Sequence, residues 1–454
     1  MSRQHKAIIV LYVVSMFMVS IDSTIVNVIL PAIASQLGVQ MHQTNGINIA
    51  YFVSIAVCLP ASGYLANRFG VKTMLLAGVG LFTFASLLCG MASSLSGLIA
   101  ARSLQGLAGG IIIPVGMAML FRTFPPEQRK VLAGSLVLPI AFAPAIGPLA
   151  GGIMSEFLSW EWSFFINIPI GLAALAVGFF AVKEFEKYRP PFDWKGYALI
   201  GIGLPSVMAS MSLSVSIGIT WLTVLPGAAG LALLVLFYRY EYNAEEPLLD
   251  VHLYRDNLFR SLSFVAMCSM GSLMGMLYLF PLFYQTAYSA SPLESSMITF
   301  TEALGLMAAS RLLPKTAKRF GMKTAIKGGL LGTILIFTCI LILGPDSNPW
   351  LLRFLMFCVG IFLGHSVIGS QVTAFNHVTK MSMGKATTLY NVMNRVGAAS
   401  GIAVAAAILA ASSQFGIMAS YRFAFVGTIL FLAAGVLFAL HMKEETEPVK
   451  GEAA

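Results

Sequence analysis

A six-residue segment occurs twice in this chain, and its spacing constrains the fold more than any other feature. Arg68 to Thr73 reads RFGVKT, and 251 residues later Arg319 to Thr324 reads RFGMKT. Each copy lies in a short basic loop between two apolar runs. The same offset relates Arg102 to Arg353. A long internal repeat in a membrane chain indicates two equivalent halves, with a transport path between them.

Fourteen apolar runs of spanning length make up most of the chain, each near the roughly 20 residues that a helix needs to cross the hydrocarbon core. The repeat relates run two to run ten, and it relates run four, with Gly109, to run twelve, with Gly360. Both shifts are eight runs, so two extra runs lie between two sets of six. The predicted spans are 7–30, 46–66, 73–93, 97–120, 131–153, 163–182, 196–215, 219–238, 260–283, 293–313, 324–344, 349–374, 386–411 and 420–441.

The predicted fold is therefore an all-α polytopic membrane protein with 14 transmembrane helices arranged as 6+2+6, in two pseudo-symmetric six-helix bundles. Residues 1–182 form the N-terminal bundle, and residues 183–259 hold two inserted helices with flanking cytoplasmic loops. Residues 260–441 form the C-terminal bundle, and residues 442–454 form a cytoplasmic tail.

Charge alternates from loop to loop along the chain. Lysine and arginine collect before run one and after every even-numbered run, whereas the intervening loops hold the acids Glu156, Glu161, Glu294 and Asp346. The positive-inside rule therefore places both termini in the cytoplasm and requires an even number of spans. We expect a multi-pass protein of a bacterial cytoplasmic (inner) membrane.

Composition excludes several classes of protein. Of the 454 residues, 57% are hydrophobic and 10% are charged, whereas about 25% of a soluble domain is charged. The net charge of +9 is spread over short loops, so it indicates membrane topology and not nucleic-acid binding. The histidines and cysteines lack metal-ligand or CxxC spacing, and no phosphate-binding loop is present. We therefore expect no metal, no cofactor, no catalytic residue and no use of ATP.

Several segments resemble motifs of the major facilitator superfamily. Residues 63–72 (GYLANRFGVK) are similar to its loop signature between spans two and three, residues 102–106 (RSLQG) to its span-four motif, and residues 145–152 (AIGPLAGG) to the span-five motif of its antiporters. Residues 21–31 (IDSTIVNVILP) and 160–171 (WEWSFFINIPIG) narrow the resemblance to the fourteen-span drug:proton antiporter branch. The resemblance covers essentially the whole chain and implies a proton-coupled exporter that works by alternating access.

The resemblance also implies a set of residues that gate the transport path. They are Gly63, Asn67, Arg68, Gly70, Lys72, Gly147, Pro148, Gly151 and Gly152. The chain departs from the family pattern at Asn67, where an aspartate is usual, and at Glu161, where an arginine is usual. Asn67 can accept a hydrogen bond or cap a helix, but it cannot form a charged latch. We therefore expect a weaker or differently connected lock between the halves.

Acids are rare inside the spans, and an ionisable side chain at mid-membrane usually faces a partner or a water-filled path. Asp22 precedes Leu30 by eight residues, which puts it roughly 12 Å below the end of span one. Arg102 lies at a similar depth in span four. We expect the two to meet, with Asp22 as the proton-coupling carboxylate and Arg102 tuning its pKa. The alternative is a fixed structural ion pair.

Glu302 lies roughly 14 Å deep in span ten and has no obvious partner in the sequence. It is interpreted as a further proton-coupling residue or as a counter-charge for a cationic substrate; the alternative is a glutamate satisfied by a hydroxyl or an asparagine. The candidates for the substrate cavity are Asn27, Gln105, His365, Asn391 and Arg395. Packing is the alternative role for His365, and holding the cytoplasmic gate is the alternative for Arg395.

The leading hypothesis is a proton antiporter that exports amphipathic or drug-like molecules. A dedicated metabolite or siderophore exporter would use the same mechanism. A lipid-modifying enzyme would need a clustered nucleophile and base or metal ligands, and a non-transporting sensor would need a soluble signalling domain. The expected partners are a small-molecule substrate, protons and the lipid bilayer. We expect a monomer, with or without accessory periplasmic partners.

Overall fold

The structure is a computed structural model that describes residues 3–124, 146–187, 191–245, 247–343, 347–379 and 382–442. The predicted tail beyond Met442 and the loop acid Asp346 lie outside these ranges. Within them the chain is helical and has no β-strand. Fourteen helices follow in the predicted order: α1 Arg3–Leu37, α2 Asn45–Phe69, α3 Val71–Gly90, α4 Leu95–Thr123, α5 (described over 146–157), α6 Trp162–Ala181, α7 Trp194–Ile217, α8 Trp221–Asn243, α9 Asn257–Ala287, α10 Pro292–Phe320, α11 Met322–Ile342, α12 Pro349–Thr373, α13 Met383–Ala411 and α14 Ile417–Leu440.

Twelve of these helices are long and apolar enough to cross a membrane. Most of the predicted span 131–153 lies outside the described residues, which include only 146–157 of α5. The other helix that is not among these twelve, α10, is 29 residues long but less apolar than they are. Its first half carries polar side chains, among them Ser295, Thr299 and Glu302, and these are buried inside the protein. α10 can therefore span with its polar face turned away from lipid.

The sequence repeat is visible in the packing of the helices. The α2–α4 and α10–α12 pairs make the most extensive contacts between helices in the described residues. Gly109 in α4 lies against Tyr51 and Ile55, and its repeat equivalent Gly360 in α12 lies against Glu302 and Leu306. Tyr51 and Glu302 are themselves 251 residues apart. The predicted equivalence of runs two and ten, and of runs four and twelve, is thus confirmed.

Successive helices cross in alternating directions, so the loops after even-numbered helices share one end of the bundle, here called the basic end. The loops after odd-numbered helices lie at the other end, here called the acidic end. At the acidic end Gln285 Nε2 donates to the carbonyl of Val28 (3.0 Å), and the N–H of Leu293 donates to the Glu156 carboxylate (3.0 Å). Both bonds join α1–α6 to α9–α14. At the basic end the bonds of Lys72 to Phe179, Arg122 to Asn67 and Lys323 to Met442 each stay within one of these two sets of helices.

Helices α7 and α8 form a hairpin beside the two halves. The backbones of the two helices approach closely at Gly203 and Gly230. α7 contacts both α2 and α13, so it covers the edge where the two halves meet. α8 packs mainly on α7 and exposes leucines such as Leu222, Leu225 and Leu231, which suits a helix that faces lipid.

Candidate functional site

Asp22 of α1 and Arg102 of α4 form an ion pair inside the N-terminal half. Both side chains are 0% exposed, and Arg102 Nη1 lies 2.5 Å from Asp22 Oδ2. The other carboxylate oxygen, Oδ1, accepts hydrogen bonds from Gln105 Nε2 (2.8 Å) and from Asn167 Nδ2 (3.3 Å). One buried acid therefore holds side chains of α4 and α6 against α1. The contact between Asp22 and Arg102 is the one predicted from their similar depths in spans one and four.

The guanidinium of Arg102 is only partly satisfied. It donates to Gln105 Oε1 (2.6 Å) as well as to Asp22, and it lies over the ring of Tyr51, 4.1 Å from the centroid. Its Nε and Nη2 atoms are buried without a hydrogen-bond partner among the described residues. A buried guanidinium with spare donors can exchange partners more readily than one whose five N–H groups are all engaged.

Two members of this network, Asn167 and Ser86, were not singled out from the sequence. Asn167 lies in the span-six motif, and Ser86 accepts from Gln105 Nε2 (2.8 Å). Gln105 was predicted to face a substrate cavity, and the structure places it in the Asp22 network. The available signal was that Ser86 and Asn167 are polar residues inside otherwise apolar helices.

A cavity of about 210 Å³ lies between the two halves. Helices α1, α4 and α5 form one wall, and α9, α10 and α13 form the other. Most of the surface is apolar. The lining residues are Met16, Val19, Ser20, Ser23, Thr24, Ile113, Pro148, Met270, Leu273, Met274, Leu277, Thr299, Glu302, Ala303, Leu306 and Arg395.

Glu302 and Arg395 bring a carboxyl and a guanidinium to this cavity without forming an ion pair. Glu302 is 2% exposed, and its Oε1 has no hydrogen-bond partner in the described residues. Arg395 is half-buried. The ion pairs within 4.0 Å in the described ranges involve other residues. The cavity wall therefore offers one carboxyl and one guanidinium to whatever occupies it.

The remaining predicted cavity residues lie outside this lining. Asn27 is buried and its Oδ1 accepts from Asn48 Nδ2 (2.9 Å). His365 is 8% exposed and joins two helices, with Nδ1 2.8 Å from its own helix at the carbonyl of Ile361 and Nε2 3.1 Å from Thr316 Oγ1 on α10. Asn391 is half-buried on α13 and is not among the cavity-lining residues.

The gating residues of α2 and α3 cluster at the basic end. Asn67 Oδ1 accepts a hydrogen bond from Arg122 Nη2 (2.6 Å), so the asparagine joins α2 to α4 without a charge pair. Arg68 donates to the hydroxyl of Tyr64. Gly70, at φ +107°, permits the sharp turn between the helices.

The other gating residues lie on α2, α3 and α5. Lys72 Nζ donates to a carbonyl near the end of α6 (3.1 Å), whereas the position that a side chain on Gly63 would occupy is open. In α5, Gly147 and Gly151 lie against the backbone of α1, and Gly152 lies against Ser296 of α10. These glycines let α5 approach both halves closely.

An acid that the sequence did not single out caps α3. The carboxylate of Glu184 accepts hydrogen bonds from the N–H of Lys72 (2.9 Å), the N–H of Thr73 (2.9 Å) and the hydroxyl of Thr73 (2.6 Å). Partial burial acts to raise the pKa of Glu184, but the hydrogen bonds from Thr73, Phe185 and Lys72 outweigh it and hold that pKa below its usual value. The segment after α6 is thereby fixed to the α2–α3 loop.

A pair of acids, Asp193 and Glu241, meets where α7 and α8 join their linkers. Asp193 Oδ1 accepts from the hydroxyl of Tyr240 (3.0 Å), and Glu241 Oε2 accepts from the N–H of Leu249 (3.0 Å). Asp193 Oδ2 and Glu241 Oε1 are buried without a partner among the described residues. Both atoms border the place that a side chain on Gly196 would occupy, so two carboxyl oxygens face each other and a proton on Glu241 can join them.

A protein-family model with the description Major Facilitator Superfamily matches residues 12–402 and 262–454. Curated relatives with the name multidrug resistance protein MdtD match over most of their length. The Escherichia coli protein is 30% identical over 347 residues, 76% of this chain and 74% of the relative. The Salmonella paratyphi A protein is 32% identical over 322 residues, which are 70% of this chain and 68% of the relative. The Cronobacter sakazakii protein is 31% identical over 349 residues, which are 76% of this chain and 74% of the relative.

Two solved structures share the fold over nearly the whole chain. An auto-inhibited POT-family peptide transporter gives a TM-score of 0.72 at 16% identity and covers 99% of both chains. The human organic anion transporter MFSD10 (TETRAN) gives 0.62 at 13% identity, with 97% of this chain and 98% of that chain covered. At these identities the likeness concerns the fold alone.

Proposed function

Because the chain belongs to the major facilitator superfamily, a family of membrane transporters and not of enzymes, we propose that it is a proton-coupled antiporter that exports amphipathic or drug-like small molecules. The observation that carries the proposal is the position of α1. This helix holds Asp22 in the buried network, and it presents the neighbouring Ser23 and Thr24 to the central cavity. One helix thus connects a proton site to a ligand site.

In the proposed cycle Asp22 exchanges a proton, and Arg102 responds. A proton on Asp22 removes the negative charge that holds Arg102, Gln105 and Asn167 to α1. The spare donors of Arg102 then allow the guanidinium to take other partners, so α1 is free to shift against α4. Because α1 is also part of the cavity wall, the shift changes which ligand contacts are available, as alternating access requires.

The proposed orientation puts the basic end in the cytoplasm of a bacterial cell, in accord with the positive-inside rule. The halves are joined at the acidic end, so this conformation would be closed to the outside. Residues 1–182 and 260–441 would act as the two moving bundles of a monomer, with or without accessory periplasmic proteins. Single cysteines at Lys187 and Glu245 on a cysteine-free background should then be labelled only from the cytoplasm. Labelling of either from outside would contradict the orientation.

The coupling role of Asp22 can be measured in inverted membrane vesicles with a panel of dyes and metabolites. Asp22→Asn should insert and fold, yet lose uptake driven by the proton gradient. Glu161→Gln is a matched control, because Glu161 is an acid of the same half whose described side-chain partner is Gln36 at the acidic end. Proton-driven uptake at the wild-type rate in Asp22→Asn would remove Asp22 from the coupling role.

A dedicated metabolite exporter is the second candidate, and the size of the cavity favours it. The volume of about 210 Å³ is below the range of roughly 300–1,000 Å³ that holds drug-sized ligands. In the same vesicle assay, a metabolite exporter would transport few members of the panel, whereas a multidrug exporter would transport many.

A further inference from the structure

A carboxyl group and a guanidinium group line the central cavity and do not meet. Glu302 comes from α10 and Arg395 from α13, and in the described residues neither has an ion-pair partner within 4.0 Å. We infer that the cavity takes a small zwitterion with an apolar body, whose cationic group binds Glu302 and whose anionic group binds Arg395. This inference rests on the proposed function, since it assumes that the cavity is the transport site.

The separation of the two charges is a property of the fold. An unpaired buried charge is costly, and Glu302 and Arg395 do not approach within 4.0 Å of each other. Here α10 and α13 hold the two side chains at different places in the cavity wall. A ligand with one charge would satisfy one of them and leave the other without a partner. A ligand with both charges satisfies the two together.

Hydroxyl groups from both halves line the same cavity as Glu302 and suit a cationic group. Ser23 Oγ donates to the carbonyl of Ser20 (2.7 Å), and Thr299 Oγ1 donates to the carbonyl of Ser296 (3.0 Å). Each hydroxyl has one hydrogen, so these oxygen atoms remain available to a ligand as acceptors. An ammonium group, which is a donor only, would find hydroxyl acceptors from both halves in the cavity that Glu302 lines.

The rest of the wall selects an apolar body of limited size. Met16, Met270 and Met274 line the cavity, and their flexible side chains adapt to irregular shapes. The volume of about 210 Å³ favours a compact molecule over a drug-sized one. The chemical class is therefore an apolar amino acid or a betaine of similar size.

The test compares three probes that share one apolar body. Leucine carries both charges, leucinamide carries only the positive one, and N-acetylleucine carries only the negative one. Binding to the purified full-length protein is measured by isothermal titration calorimetry without a proton gradient. Leucine should bind at least about tenfold more tightly than either derivative, because a hydrogen bond to a charged group contributes about that factor or more.

The variants assign each charge to its partner. Glu302→Gln should remove the preference for leucine over N-acetylleucine, and Arg395→Gln should remove the preference for leucine over leucinamide. Glu294→Gln and Arg353→Gln are matched controls on α10 and α12, outside the cavity lining, and should keep both preferences. Equal binding of leucine and leucinamide to the wild type, or no binding of any probe, would overturn the inference.

The design separates this inference from the proposed function. Probe selectivity is measured without a gradient, whereas proton coupling is measured as gradient-driven uptake. If the wild-type protein shows proton-driven uptake but no preference for leucine over the two derivatives, only the inference of a zwitterionic ligand is overturned. Intact selectivity without any effect of the proton gradient would overturn the antiport mechanism and leave the cavity's ligand class standing.

Discussion

Replacing Arg102 by methionine should destabilise the protein by about 3–5 kcal/mol, the usual cost of removing one partner of a buried ion pair. Asp22 and Arg102 are both 0% exposed and lie 2.5 Å apart, so water cannot take the place of the lost arginine. Methionine fills apolar space but donates no hydrogen bond. Asp22 would keep only the neutral donors of Gln105 and Asn167.

A double-mutant cycle shows whether this cost comes from the unpaired charge. Asp22→Asn alone leaves Arg102 buried without its carboxylate, so it should also be destabilising. The two substitutions together remove both charges. Their combined cost should fall short of the sum of the single costs by about 3 kcal/mol, the upper part of the range for directly interacting residues.

The free energy of unfolding can be measured by titrating the purified protein in mild detergent with SDS while following tryptophan fluorescence. Arg353→Met is the matched control, because Arg353 occupies the repeat-equivalent place in α12. It lies over the ring of Trp350, 4.5 Å from the centroid, and has no carboxylate within 4.0 Å in the described ranges. The control should cost about 0.5–1 kcal/mol. Equal costs for Arg102→Met and Arg353→Met, or additive costs in the cycle, would refute the reasoning.

Two further predictions concern acids that the sequence did not single out. Glu184→Gln should destabilise by about 1 kcal/mol, the usual value of a helix cap. Since the pKa of Glu184 lies below its usual value, its stabilisation is present at neutral pH and is lost as the pH falls through that lowered pKa. Thermal unfolding across this range should show a smaller acid dependence in Glu184→Gln than in the neighbouring control Glu186→Gln, and equal dependence would contradict the cap. Glu241→Gln should raise the melting temperature at pH 7, because the amide can donate to Asp193 Oδ2; a lower value would contradict that pairing.

The internal repeat, and the count of residues from the helix ends, predicted the features that follow from local sequence. Charge alternation and apolar run length predicted the order of the helices, and counting residues from the helix ends placed Asp22 and Arg102 at one depth. Both rest on the fixed rise of the α-helix and on the cost of polar groups in lipid. Neither needs knowledge of how the helices are arranged around each other.

The sequence did not show which side of each helix faces lipid, the protein core or the cavity. Lipid tails are as apolar as a protein core, so a membrane helix is apolar on most sides and its periodicity does not separate lipid, core and cavity. His365 and Arg395 were therefore both named as cavity candidates, although of the two only Arg395 lies in the cavity lining. The Glu184 cap joins residues 111 positions apart, and no local pattern marks such a contact.

The two halves share a fold but not their charges, and this asymmetry bears on the mechanism. By the repeat offset, Leu273 stands in the second half where Asp22 stands in the first, and Tyr51 stands in the first where Glu302 stands in the second. The paired acid therefore belongs to the N-terminal half and the unpaired acid to the C-terminal half. In the proposed cycle a proton on Asp22 reaches the ligand through α1, which forms part of the cavity wall. Proton and ligand can then influence each other's binding without sharing a site, so the coupling depends on the mobility of one helix and not on direct competition.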